Sequence, residues 1–220
     1  MSQSLRVALI DWNQSVRAAR RQILDATPNI DVVFESDGNS AQFQQLPDLL
    51  VDVIVVDQQL EQGSGVEAYL AIRNKYENLT DVPPAVLSAT FNLPELRLLC
   101  LAAGMHELVS VDFGPEELIR TIRSAASREK VTEISMLAEL IRHCKLAPKS
   151  DFGFTQSVIA LPVRKRALID KLARDWHSLQ TGSRSKFSNE QLEPLVSPLG
   201  CLTTSELVIK LFQNGFLDGS

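Results

Sequence analysis

The chain has 220 residues, 45% hydrophobic and 22% charged. These values exclude a disordered, fibrous or collagen-like protein and leave room for one or two domains whose cores need no disulfide or metal. The formal net charge of -5 argues against non-specific nucleic-acid binding by the chain as a whole, though not by a part of it.

Short β-branched runs alternate with helix-like periodic stretches as far as about residue 127. The runs are Val7–Ile10, Val32–Phe34, Val53–Val56, Ala85–Leu87 and Leu108–Val109. Continuous apolar runs of this kind are expected as parallel strands covered on both faces. Helices are expected near 13–26, 39–46, 66–76, 93–103 and 115–126. Asn13 suits the N-cap of the first, and Pro115 with Glu116 and Glu117 suits the first turn of the last. Five strand-helix units in this length imply a doubly wound α/β domain with a five-stranded parallel sheet, whose binding crevice lies at the carboxyl ends of the strands. Asp11 closes the first run and Asp57 the third, so both carboxylates are expected in that crevice.

Past residue 127 the charge changes sign. Residues 1–128 carry 10 Lys+Arg against 17 Asp+Glu, whereas 129–220 carry 12 against 10. The segment 131–146 spaces Ile134, Leu137, Ile141 and Cys144 as an amphipathic helix, either a short coiled-coil seam between two copies or an ordinary helix packed on its own chain. Pro148 and Asp151–Phe154 are expected as a loop, and a long helix over about 162–179 follows. The stretch 152–188 has seven basic residues (Arg164, Lys165, Arg166, Lys171, Arg174, Arg184, Lys186) against two acids. Arg164, Lys171 and Arg174 along one side of the long helix are candidate nucleic-acid contacts; a solvated face, or a dock for the acidic half of the chain, is the plain alternative. Two capping boxes, beginning at Ser188 and Thr203, predict two further helices separated by Ser197–Gly200. A helix-turn-helix there would offer Lys210 as its one cation, beside Glu206.

The order Val7-Ala-Leu-Ile-Asp11, Val53-Ile-Val-Val-Asp57, Gly63-Ser-Gly65-Val-Glu67, Val86-Leu-Ser88-Ala89, Ala103-Gly104 and Pro115-Glu-Glu-Leu118 resembles the receiver domain of bacterial two-component response regulators. The likeness is strongest to the receivers of LuxR-type regulators, and it covers about residues 5–127. It implies a flavodoxin-like strand order, a phosphoryl group accepted by Asp57, and Ser88 bonding that group. The family's second acid after the first strand is replaced here by Trp12, its lysine after the fifth strand by Val111, and its aromatic switch by Leu108. Phosphoryl transfer draws on a magnesium ion held by carboxylates, and an indole N–H cannot ligate a metal.

The expectation is therefore a non-enzymatic, phosphorylation-independent receiver over 1–127, a linker helix over 128–150 and a small all-α output domain over 151–220. It would control transcription through DNA as a cytoplasmic homodimer; a protein-protein adaptor without DNA binding is the alternative. No cofactor is expected, magnesium entering only if Asp57 is still phosphorylated with Glu61 or Asp112 substituting at the metal. No membrane partner is expected, because no run approaches ~18 apolar residues and the N-terminus lacks a signal-peptide core. The three cysteines, in no CxxC or Cys/His spacing, fit a reducing compartment.

Overall fold

The computed structural model describes residues 4–112, 114–127, 134–180 and 187–217, and the chain divides into two compact units, Met1–Lys130 and Val131–Ser220. In the first, five strands β1 (Leu5–Ile10), β2 (Ile30–Ser36), β3 (Val53–Asp57), β4 (Ala85–Ala89) and β5 (Glu107–Ser110) form one parallel sheet in the order β2-β1-β3-β4-β5. Successive side chains of a strand point to opposite faces. On one face Val7, Leu9, Val53, Val55, Val86 and Val109 pack with Leu24 of α1 (Gln14–Asp25) and with Leu118, Ile122 and Ala125 of α4 (Pro115–Ser127). Tyr69 and Ile72 of α2 (Gly65–Arg73) and Leu98 and Leu101 of α3 (Pro94–Ala102) are buried as well, and these helices pack on β3, β4 and β5.

The expected strands and helices of this unit all form, with one change of type. Residues Ser40–Leu49 wind as a 3-10 helix with Pro47 inside it. A proline there removes one backbone donor and crowds the preceding turn, which disfavours an α-helix.

In the second unit α5 (Ile134–Cys144), α6 (Phe152–Ala160), α7 (Val163–Gln180), the single turn α8 (Glu193–Val196) and α9 (Thr204–Gln213) form a helical unit of their own. Two sequence expectations change. The loop expected across Asp151–Phe154 is instead the start of α6, because the Asp151 carboxylate accepts the Phe154 N–H at 3.0 Å and caps the first turn. The segment expected as a linker belongs to this unit: Ile134, Leu137, Ala138 and Ile141 are buried as α5 packs on α7 and α9, so they are not open to form a seam between copies. Residues 128–133 of that expected linker, 128–150, lie outside the described residues, as do Arg184 and Lys186 of the basic stretch. The capping box at Ser188 opens only a 3-10 turn, Asn189–Gln191, before α8. No single helix is long and apolar enough to cross a membrane among the described residues.

Candidate functional site

The first unit's crevice forms where β1, β3 and β4 end. Asp11 directly follows β1, Asp57 is the last residue of β3, and Ser88 of β4 is the register partner of Asp57. These three, Asp11 and Asp57 expected from the strand pattern and Ser88 from the resemblance, meet at one edge, and the structure adds a fourth residue among them. Arg20 of α1 donates from Nη1 to Asp11 Oδ2 at 2.7 Å, and from Nη2 to Ser88 Oγ at 2.6 Å and to Asp57 Oδ2 at 3.4 Å. Its side chain is 11% exposed, against 4% for Asp11 and 19% for Asp57.

Helix geometry explains the reach. Helix α1 starts at the carboxyl end of β1 and runs back down the sheet, so Arg20 sits six residues, about 9 Å, below the helix start. Side chains on a helix lean toward its N-terminus, and an arginine is long enough to return to the crevice. Val16, Arg20 and Ile23 share one face of α1 by their four-three spacing, and all three line the crevice. Asn13 fixes the helix start by accepting the N–H groups of Ser15 and Val16.

The remaining acceptors are filled by backbone. Asp11 Oδ1 takes the Asn13 N–H at 2.8 Å and Asp57 Oδ1 takes the Gln59 N–H at 3.0 Å. Arg17 Nη1 donates to the Asp11 carbonyl. Burial pushes the Asp11 carboxyl above its ordinary value, opposed by the Asn13 N–H and the Arg20 charge, while Asp57 pushes it further up. Each hydrogen bond to a charged group contributes ~1.5–3 kcal/mol, so Arg20 ties α1 to three strand ends at once. The turn after β3 is equally tight. A Cβ at Gly65 would stand 2.1 Å from the Asp57 carbonyl oxygen, which is why the start of α2 carries glycine at the point of contact.

Trp12 and Val111 both line a cavity of about 500 Å³ over this pocket, and both are half exposed. Leu108 is buried in β5, opposite Leu87. Of the two acids considered as replacement ligands, Asp112 lines the cavity, whereas Glu61 is exposed and does not line it. Among the described residues no three His, Cys, Asp or Glu side chains are grouped so as to hold a metal ion.

The candidate nucleic-acid contacts differ in exposure and pairing. Arg164 and Arg174 are exposed on α7. Lys171 is half-buried, with its ammonium 5.2 Å from the centroid of the Phe187 ring. Lys210 is held at 2.9 Å by Glu206, itself 1% exposed, and lies over the Phe154 ring. Thr204–Ile209 and Leu211 of α9 are buried, so this helix is a core element and not a reading helix presented to a groove. Its burial follows from the apolar residues Leu207, Val208, Ile209 and Leu211 around most of its circumference.

Arg20 is the residue of this crevice that the sequence alone did not yield. Among Arg17, Arg20 and Arg21 it resembles one cation of a solvated helix face. The available signal was its register, since Arg20 falls in line with Val16, Ile23 and the buried Leu24.

Comparison with known proteins gives the family context. The response regulator receiver domain signature matches residues 7–123. The chain is 24% identical over 196 residues, 89% of it and 86% of the relative, to the DNA-binding transcriptional activator DevR/DosR of Mycobacterium tuberculosis. It is 30% identical over 164 residues, 74% of it and 72% of the relative, to the uncharacterised transcriptional regulatory protein YxjL of Bacillus subtilis. Among solved structures, a LuxR-family two-component response regulator from an Aurantimonas species superposes with a TM-score of 0.54 at 21% identity, covering 66% of this chain and all of that one, a likeness of fold.

Proposed function

This chain belongs to the response regulator receiver family, and from that premise we propose that it is a regulator whose receiver works without phosphoryl transfer and whose helical unit carries the output to transcription. The observation that carries the reading is the Arg20 guanidinium, set between Asp11, Asp57 and Ser88. In a phosphorylated receiver a divalent cation gathers the carboxylates and neutralises the phosphoryl oxygens. Here a covalently tethered cation already gathers them. Asp57 Oδ2, a possible nucleophile, faces a guanidinium, and Oδ1 accepts a backbone N–H.

On this reading the residues do not fit magnesium. The ion demands near-octahedral oxygen ligands, whereas Trp12 stands in the place of the second acid and Asp11 Oδ2 is turned to Arg20. Val111 likewise brings no positive charge to a phosphate. Arg20 already offsets part of the pocket's negative charge and ties Asp11, Asp57 and Ser88 together, so signalling would pass through whatever else binds the receiver.

Likeness to transcriptional regulators along most of the chain supports an output to transcription, with exposed Arg164 and Arg174 as its cationic contacts. A protein-protein adaptor is the second reading, favoured by the burial of α9 and the pairing of Lys210 with Glu206. A homodimer would use a surface other than the apolar stripe of α5, which lies inside its own unit.

Intact-mass measurement after incubation with acetyl phosphate and Mg²⁺ tests the receiver. The unmodified mass is expected, and a stoichiometric phosphoryl adduct on Asp57 would refute the reading. Salt-titrated binding of the full chain to mixed-sequence duplex DNA separates the outputs. Saturable binding with a steep salt slope supports the first, and no binding at low salt supports the adaptor.

A further inference from the structure

The space over the Arg20 pocket exceeds what that pocket itself uses. At about 500 Å³ the cavity is in the range of small-molecule sites, with Arg20 in place on its floor. Its walls are mixed, and among them the apolar Trp12, Val16 and Val111 stand at 49%, 38% and 44% exposure beside polar Asn13, Gln59 and Thr90. Three large apolar side chains left facing water around one opening are a recognition feature and not scattered surface residues.

Charge narrows the occupant. Asp11, Asp57 and Asp112 line the cavity against one lining guanidinium, Arg20, while Arg17, which donates to the Asp11 carbonyl from outside the lining, is itself paired with Glu35 at 3.8 Å. Arg20 satisfies Asp11 at 2.7 Å but stands 3.4 Å from Asp57, and among the described residues no cation is paired with the Asp112 carboxylate. An anion would meet net negative potential there, whereas a cation would be drawn in. The exposed indole of Trp12 adds an aromatic face that attracts the same sign of charge.

We propose that this cavity binds a small organic cation, an ammonium carried on an apolar body. The carboxylates of Asp57 and Asp112 take the ammonium, and Trp12, Val16 and Val111 take the body. This gives the receiver an input that needs no kinase, and it rests on the reading that Arg20, not a metal ion, holds the floor of the pocket.

The test uses the full chain with hexylammonium and phenethylammonium as probes, and the alcohols and carboxylates of matching length as controls. Binding is followed by calorimetry and by the fluorescence of Trp12; the second indole, Trp176, is buried in the helical unit. Saturable binding of the ammonium probes is expected, weaker by about tenfold or more for the controls and for Asp112→Asn. The fluorescence change is expected to vanish in Trp12→Phe. Alcohols or carboxylates binding as well as the amines, an undiminished signal in Trp12→Phe, full affinity in Asp112→Asn, or no saturation with either amine would overturn the proposal. Acetyl phosphate treatment of the same sample keeps the two readings apart. An adduct together with amine binding refutes only the phosphorylation-independent receiver, and neither adduct nor amine binding refutes only the cation site.

Discussion

Replacing Arg20 with methionine isolates what the guanidinium does, because most of the side-chain volume stays while the charge and its three donated bonds go. Asp11, 4% exposed in its side chain, then shares a buried edge with Asp57 and keeps only Arg17, bonded to its backbone carbonyl, as a nearby counter-charge. Removing one partner of a fully buried ion pair costs ~3–5 kcal/mol; the crevice admits some water to Asp57, so a loss of ~2–4 kcal/mol at neutral pH is expected. The pH dependence carries the sign. Burial already raises the Asp11 carboxyl above the ordinary 3.8 in the folded state, so its charged form opposes folding, and this cost appears as pH rises from 3.8 through the folded value. Without Arg20 that folded value moves higher still. The stability gap between Arg20→Met and the parent is therefore small below 3.8 and widens as pH rises through the acidic range. Urea unfolding followed by circular dichroism at a series of pH values measures it. Arg20→Met/Asp11→Asn should recover most of the loss, because the orphaned carboxylate is gone. A single variant as stable as the parent at neutral pH, or a gap that does not change with pH, would refute the role given to Arg20.

Gly65→Ala would bring a Cβ to 2.1 Å from the Asp57 carbonyl oxygen. Such overpacking costs ~1–3 kcal/mol or more, beyond any gain in helix propensity, and a thermal transition at the parent temperature would contradict the close approach. Lys210→Met removes the ammonium that sits 2.9 Å from the buried Glu206 carboxylate, while the Leu202 N–H still reaches it at 2.7 Å. A destabilisation of ~1–3 kcal/mol in urea is expected, with no change in the salt slope of any DNA binding. Arg164→Ala/Arg174→Ala is expected to weaken binding to mixed-sequence DNA and to lower that slope by about 2, one per phosphate contact; an unchanged slope would remove α7 from the contact.

The parallel sheet was legible because each strand carries a short continuous apolar run, a pattern read locally. Asp11 and Asp57 were legible for the same reason, since each sits at a strand's carboxyl end and the fold brings those ends to one edge, whereas Ser88 was legible only through the resemblance to the receiver family. Arg20 was not, because its role depends on the direction in which α1 runs back along the sheet, a tertiary relation that a helix of mixed charges does not announce. In the second unit the periodicity of α5, α7 and α9 gave their existence but not their partners. The apolar stripe of α5 suits a seam between copies as well as a neighbour in the same chain, and only the packing on α7 and α9 decides between them. The 3-10 turn at Ser188 has the capping box of a helix without the length, because Pro194 and Pro198 follow within ten residues and interrupt its continuation.

Whether the receiver's cation is Arg20 or a metal ion is answered most directly by a Mg²⁺ titration of the full chain, followed through the amide resonances of Asp11, Asp57 and Ser88. With Arg20 in the pocket these resonances should show no saturable shift up to physiological magnesium concentrations. A saturable shift confined to those residues, removed by Asp11→Asn, would contradict the account.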